Sequence, residues 1–149
     1  MQYGSCSVKS LVFTTLCLLL AQAGNAEDEG MENLSPLQWQ NRILLVRSPK
    51  AAPDAEHQLR AAETAISERH LLWFLITAEG IRTNHAGTVS KQFTPNILER
   101  YFADQGTNVV LIGKDGGVKA RARSLDLEAI FSLIDSMPMR REEMRRQAE

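Results

Sequence analysis

The stretch from Asn108 to Arg123, NVVLIGKDGGVKARAR, restricts the possible folds more than any other part of the chain. Val109, Val110, Leu111 and Ile112 form an unbroken apolar run that leads into Gly113-Lys114-Asp115-Gly116-Gly117. From Val118 to Arg123, apolar or small residues alternate with basic ones. An unbroken apolar run of strand length suits a strand covered on both faces, whereas strict alternation suits a strand with one face in water. Asp-Gly followed by a second Gly supplies the positive φ angles of a tight hairpin. The stretch therefore predicts a central strand that turns back into an edge strand. It names no reaction.

The first 26 residues have a different character. Lys9 is the only charge before Glu27, and Ser10 to Ala21 is an apolar run of signal-peptide length, too short to span a bilayer comfortably. Small residues fit cleavage after Ala23 or after Ala26, and the acidic stretch that begins at Glu27 favours Ala26. The expected organisation is a signal peptide over 1–26, a flexible acidic leader over 27–35 and one domain over 36–149. The mature protein is expected to be exported, periplasmic or secreted, with no membrane association after cleavage.

Both cysteines, Cys6 and Cys17, fall in the segment expected to be removed. A mature chain without sulfhydryls has no disulfide, no thiolate nucleophile and no Cys-based metal site, so thiol-disulfide and peroxidase chemistry are excluded for it. Removing Lys9 leaves 16 basic against 18 acidic residues, and that balance offers no argument for nucleic acid or a membrane surface.

In chain order, Arg42 to Arg47 predicts a first strand, and Asp54 can cap a helix over Ala55 to Arg69. Leu71 to Ile76 is apolar and predicts a second buried strand. The stretch Ala78–Phe93, with Gly80 and Gly87, predicts a long loop, mobile or functional. Thr94-Pro95 predicts a helix start, with Ile97, Leu98, Tyr101 and Phe102 as its buried stripe. After the hairpin, Ser124 or Asp126 caps a helix bearing Leu127, Ile130, Phe131 and Ile134, and Pro138 opens a short, charged last helix. The order βαβ-α-ββα predicts an α/β fold of thioredoxin-like type, a mixed four-stranded sheet with helices on both faces.

Leu111 to Lys119, Ile134 to Met144, Asn41 to Leu45 and Glu68 to Leu71 together resemble the DUF4174 family, over roughly Leu34 to Arg146. That family includes bacterial exported proteins and domains of animal matrix proteins of the sushi-repeat and coiled-coil-80 type. The resemblance implies a thioredoxin- or peroxiredoxin-like fold and no established activity. Thioredoxins carry their redox dithiol between the first strand and first helix, where this chain has Ser48-Pro49-Lys50-Ala51-Ala52-Pro53. The cis-proline usual before their third strand is also missing from Gln105 to Asn108.

No catalytic, cofactor or metal set emerges. Gly113 to Gly117 lacks the Gly-Lys-Ser/Thr of a phosphate loop and is followed by a strand, so it suits a tight turn. His57, His70 and His85 are scattered and have no carboxylate placed to complete a ligand set. The basic residues Lys119, Arg121 and Arg123 on the edge strand, with Arg140 and Arg141 on the last helix, have two readings. They guard a sheet edge and face solvent, or they form a surface for a protein or other anionic partner. A non-redox binding module is the leading expectation. The alternative is an enzyme of unknown class with its site at the Ser48–Asp54 and Ala78–Phe93 loops.

Overall fold

The structure, a computed structural model, describes residues 30–48 and 52–149. The expected signal peptide, most of the leader and residues 49–51 of the first loop lie outside that range. Strand β1 (Arg42–Arg47) and strand β2 (Leu71–Thr77) run parallel, with Arg42 beside Leu71 and Arg47 beside Ile76. Helices α1 (Ala52–Ala61) and α2 (Glu63–Glu68) make the crossover between them. Hydrogen bonds from Ala62 N to the Gln58 carbonyl and from Ile66 N to the Ala62 carbonyl carry the chain through the break at Ala62. The single helix expected over 55–69 is therefore one bent element.

The sheet has five strands, in the order β3-β2-β1-β4-β5, where four were expected. The additional strand, β3 (Gly80–Thr83), lies inside the stretch expected to be a loop and pairs antiparallel with β2. Thr77 opposes Gly80, so only Ala78 and Glu79 connect the two strands. Gly80 has φ 134°, a conformation that side chains oppose, and this lets the chain reverse there. Helix α3 (Phe93–Tyr101) follows, then β4 (Val109–Ile112) antiparallel to β1, and β5 (Val118–Ala122) antiparallel to β4. The turn between β4 and β5 is tight, as the glycines predict: Gly116 N bonds the Gly113 carbonyl at 3.0 Å, with Gly116 at φ 79°.

Two apolar layers explain why β1 and β4 are apolar throughout. On one face Leu44, Val46, Trp73, Leu75 and Leu111 pack against Leu59 of α1, Ile66 of α2 and Ile130 and Ile134 of α4 (Leu127–Ser136). On the other, Ile43, Leu45, Phe74 and Val110 pack against Phe93, Ile97 and Tyr101 of α3. Asp126 caps α4 by accepting from Ala129 N at 3.0 Å, and Pro138 opens α5 (Pro138–Gln147). The pairing of β4 with β5 slips between Leu111 and Ile112, which leaves Lys119 as an extra residue in β5. Such a bulge re-aims the side chain it carries.

Candidate functional site

The parallel strands β1 and β2 start, and β4 ends, at the same edge of the sheet, where the β4–β5 turn also lies. We call this the turn end. Arg42 is the first residue of β1 and only 1% exposed, because the strand's own alternation directs it inward beneath α5. Its guanidinium forks onto the Glu143 carboxylate at 3.1 and 3.3 Å and also donates to the Arg69 carbonyl at 2.8 Å. Lys114, just past β4 and also buried, donates to Glu143 at 2.8 Å. Its Nζ lies 2.9 Å from His70 Nδ1; an ammonium has only donors, so that ring nitrogen accepts. His70 takes φ 46° in the step from α2 into β2.

Arg140 on α5 stands 3.3 Å from Asp135 and 3.7 Å from Glu143, and Arg69 meets Asp135 at 2.5 Å. Four cations (Arg42, Arg69, Lys114, Arg140) thus share two carboxylates. Glu68 reaches Arg69 only at 3.8 Å and is mostly in water, where its charge is screened. Arg69 Nε and Arg140 Nη1 are buried without a hydrogen-bond partner. Burial works to raise the Glu143 carboxyl, but hydrogen bonds and charge from Lys114 and Arg42 outweigh it and hold the group below its ordinary value.

A pocket of about 360 Å³ opens beside this network, lined by Arg42, Lys114, Asp115, Lys119 and the Met137-Pro138-Met139 junction of α4 and α5. Among the described residues, three of the four most exposed large apolar side chains also gather at the turn end. Met139 lines the pocket, Val118 follows the turn, and Trp39 donates its backbone N–H to the Lys114 carbonyl at 2.6 Å. Trp39 is held at φ 66° while 64% exposed. On the α3 side of the turn lies a more polar cleft of about 460 Å³, among Asn33, Gln38, Asn41, Asn96, Arg100 and Tyr101.

The cations singled out from the sequence do not form one surface. Lys119 stands at the turn end, paired with Asp115 at 2.7 Å, and Arg140 is inside the network, 5% exposed, where a surface residue was expected. Arg141 is exposed on the first turn of α5, with Nε donating to the Ser136 carbonyl. Arg121 and Arg123 lie at the opposite end of β5. Arg121 donates to the Tyr101 carbonyl at 2.5 Å. Asp104 there is held below its ordinary value first by the Gly106 N–H and the Thr107 hydroxyl, with the charges of Arg123 and Arg121 adding.

The alternative site lies away from this network. The 48–54 loop leaves β1 at the far end of the strand, Lys50 is outside the described residues, and Asp54 is exposed in the first turn of α1. His85 packs its ring 6.1 Å from that of Phe74. Among the described residues no group of three or more His, Cys, Asp or Glu is placed to hold a metal ion, and no helix is long and apolar enough to cross a membrane.

Arg42, Arg69, His70, Lys114, Asp135 and Glu143 do not stand out as a group in the sequence. A signal was nonetheless present. Each lies in one of the segments that carry the family resemblance, and the fold brings those segments together.

A central β1 flanked by parallel β2 and antiparallel β4, with helices on both faces, makes this a thioredoxin-like α/β protein. Similar solved structures have the same architecture. Plasmodium yoelii thioredoxin peroxidase I has a TM-score of 0.51 and 18% identity, over 73% of this chain and 79% of that one. The reduced 2-Cys peroxiredoxin of Plasmodium vivax has a TM-score of 0.51 and 19% identity, over 73% and 84%. Identities this low establish a shared fold and leave the chemistry open. No curated protein matches by sequence. The model of the domain of unknown function DUF4174 matches residues 33–143, and the chain belongs to that family.

Proposed function

We propose that the chain is an exported, non-redox binding module that holds an anionic partner at the turn end of its sheet. One observation carries the reading: four buried or half-buried cations are balanced by only two carboxylates beside a pocket with an apolar wall of Met137, Pro138 and Met139. Buried surplus charge is costly, and an anion arriving from outside offsets part of that cost. Exposed Trp39 and Met139 add the aromatic and thioether contacts that binding surfaces favour. The pattern of residues 1–26 supports export. Its removal takes away Cys6 and Cys17, and with them the thiolate that disulfide exchange or peroxide reduction requires.

Affinity capture from the extracytoplasmic fraction, with the processed chain as bait, tests this reading. A Lys119→Glu/Arg141→Glu bait alters the turn end, and an Arg121→Glu/Arg123→Glu bait alters the other end of β5. A partner held by wild type should be lost from the first bait and kept by the second. Retention by both removes the turn end as the site.

A further inference from the structure

The turn-end pocket combines two kinds of lining. Met137, Pro138 and Met139 supply apolar surface, while Arg42, Lys114 and Lys119 supply positive charge, against the single carboxylate of Asp115, which pairs with Lys119 at 2.7 Å. Arg42 and Lys114 are 1% and 9% exposed and still border the pocket, so an anion meeting them would lie largely out of water. Their donors are only partly used. Lys114 spends two of its three N–H groups, on Glu143 and His70. Arg42 spends its Nη1 and Nη2 on Glu143 and the Arg69 carbonyl.

The charge surplus says what kind of anion fits. In the network behind the pocket, four cations on two carboxylates leave an excess of two positive charges, and the Lys119–Asp115 pair on the pocket wall adds none. A carboxylate brings one negative charge, whereas a phosphate monoester carries about −1.5 to −2 at neutral pH and three acceptor oxygens. The pocket volume of about 360 Å³ falls at the small end of small-molecule sites, which run from about 300 to 1,000 Å³. A bare phosphate would leave the Met137-Pro138-Met139 surface unused.

We propose that this pocket binds a phosphate monoester of an apolar alcohol, its phosphate facing Arg42, Lys114 and Lys119 and its apolar body lying on Met137, Pro138 and Met139. The proposal rests on the turn end being the binding end, and it names the chemistry of what is bound there.

Isothermal titration of the purified protein at low salt tests it, with phenyl phosphate as the probe and inorganic phosphate and benzoate beside it. Phenyl phosphate should bind at least about tenfold more tightly than either, because each of the others lacks one half of the match. Lys119→Gln and Met139→Asp should each weaken it about five- to tenfold, the worth of one contact at a half-exposed position. Both side chains are open enough to solvent for the thermal midpoint to stay in place. Arg121→Glu, at the other end of β5, should leave the affinity unchanged. Phenyl phosphate binding no tighter than inorganic phosphate or benzoate overturns the proposal, and so does equal affinity in both the Lys119 and Met139 variants. If the Lys119 bait loses a captured partner while phenyl phosphate does not bind, this ligand class fails and the binding reading survives. If phenyl phosphate binds as described and no partner is captured, the ligand class stands and the macromolecular partner falls.

Discussion

Glu142 and Glu143 are chain neighbours on α5, yet removing their charges should have very different consequences. Glu143 holds Arg42, Lys114 and Arg140, whose side chains are 1%, 9% and 6% exposed, and is itself 18% exposed. Glu143→Gln keeps the shape and removes the charge, leaving three cations crowded together with water largely excluded. Breaking a buried ion pair from one side costs about 3–5 kcal/mol. The partial exposure of Glu143 puts the expected loss at the lower limit, about 3 kcal/mol. With a urea m-value of about 2 kcal/mol per molar for a domain of this size, the unfolding midpoint should fall by about 1.5 M. Glu142 pairs with Arg145 and Arg146 on the outer face, where all three are in water, so Glu142→Gln should leave the midpoint in place. Urea titrations followed by far-UV circular dichroism measure both variants. Equal midpoints for the two would refute the claim that the network at the turn end is buried and coupled.

Glu143 also predicts a pH dependence. Its folded-state carboxyl lies below the ordinary value of 4.5, so the unfolded chain takes up this proton more readily. The stability it contributes is present above about pH 4.5 and is lost as pH falls towards the folded value. Glu143→Gln should flatten that fall in a series of thermal midpoints, with a residual slope from Glu56, Asp104, Asp115 and Glu142, which are shifted in the same direction. Phe74 is fully buried and its ring lies 5.1 Å from that of Phe93; Phe74→Ala should cost about 3–5 kcal/mol in the same urea assay. Trp39 is exposed and held at φ 66°, a region that asparagine enters more readily, so Trp39→Asn should raise stability by up to about 1 kcal/mol. A fall in stability there would mean that the indole packs more than its exposure indicates.

The frame of the sheet was legible because burial on both faces leaves a plain mark. Val109 to Ile112, Ile43 to Val46 and Leu71 to Ile76 are apolar without interruption, and the Asp-Gly-Gly turn announces the hairpin. Strand β3 left no such mark. Gly80, Ile81, Arg82 and Thr83 alternate exposed with half-buried positions over only four residues, and the connection from β2 lacks an Asn-Gly or Asp-Gly signature. The network was hidden for another reason. Arg42, Lys114 and Arg140 stand at element boundaries, where a charge ordinarily marks the point at which the chain reaches water. Only the folding of α5 back over the start of β1 turns these boundaries inward. The basic edge was legible as residues but not as a surface, since the bulge at Lys119 and the position of Arg121 and Arg123 near Asp104 divide it between the two ends of β5.

Whether an anion settles at the turn end is tested most directly by an amide chemical-shift map of the isotope-labelled protein during titration with phenyl phosphate. Shifts concentrated in residues 113–119 and 137–143, saturating together and fading as salt is added, are the expected result. Shifts confined to the opposite end of the sheet, around residues 47–48, 76–80 and 104–108, would contradict it and move the site towards the loop where thioredoxins keep their chemistry.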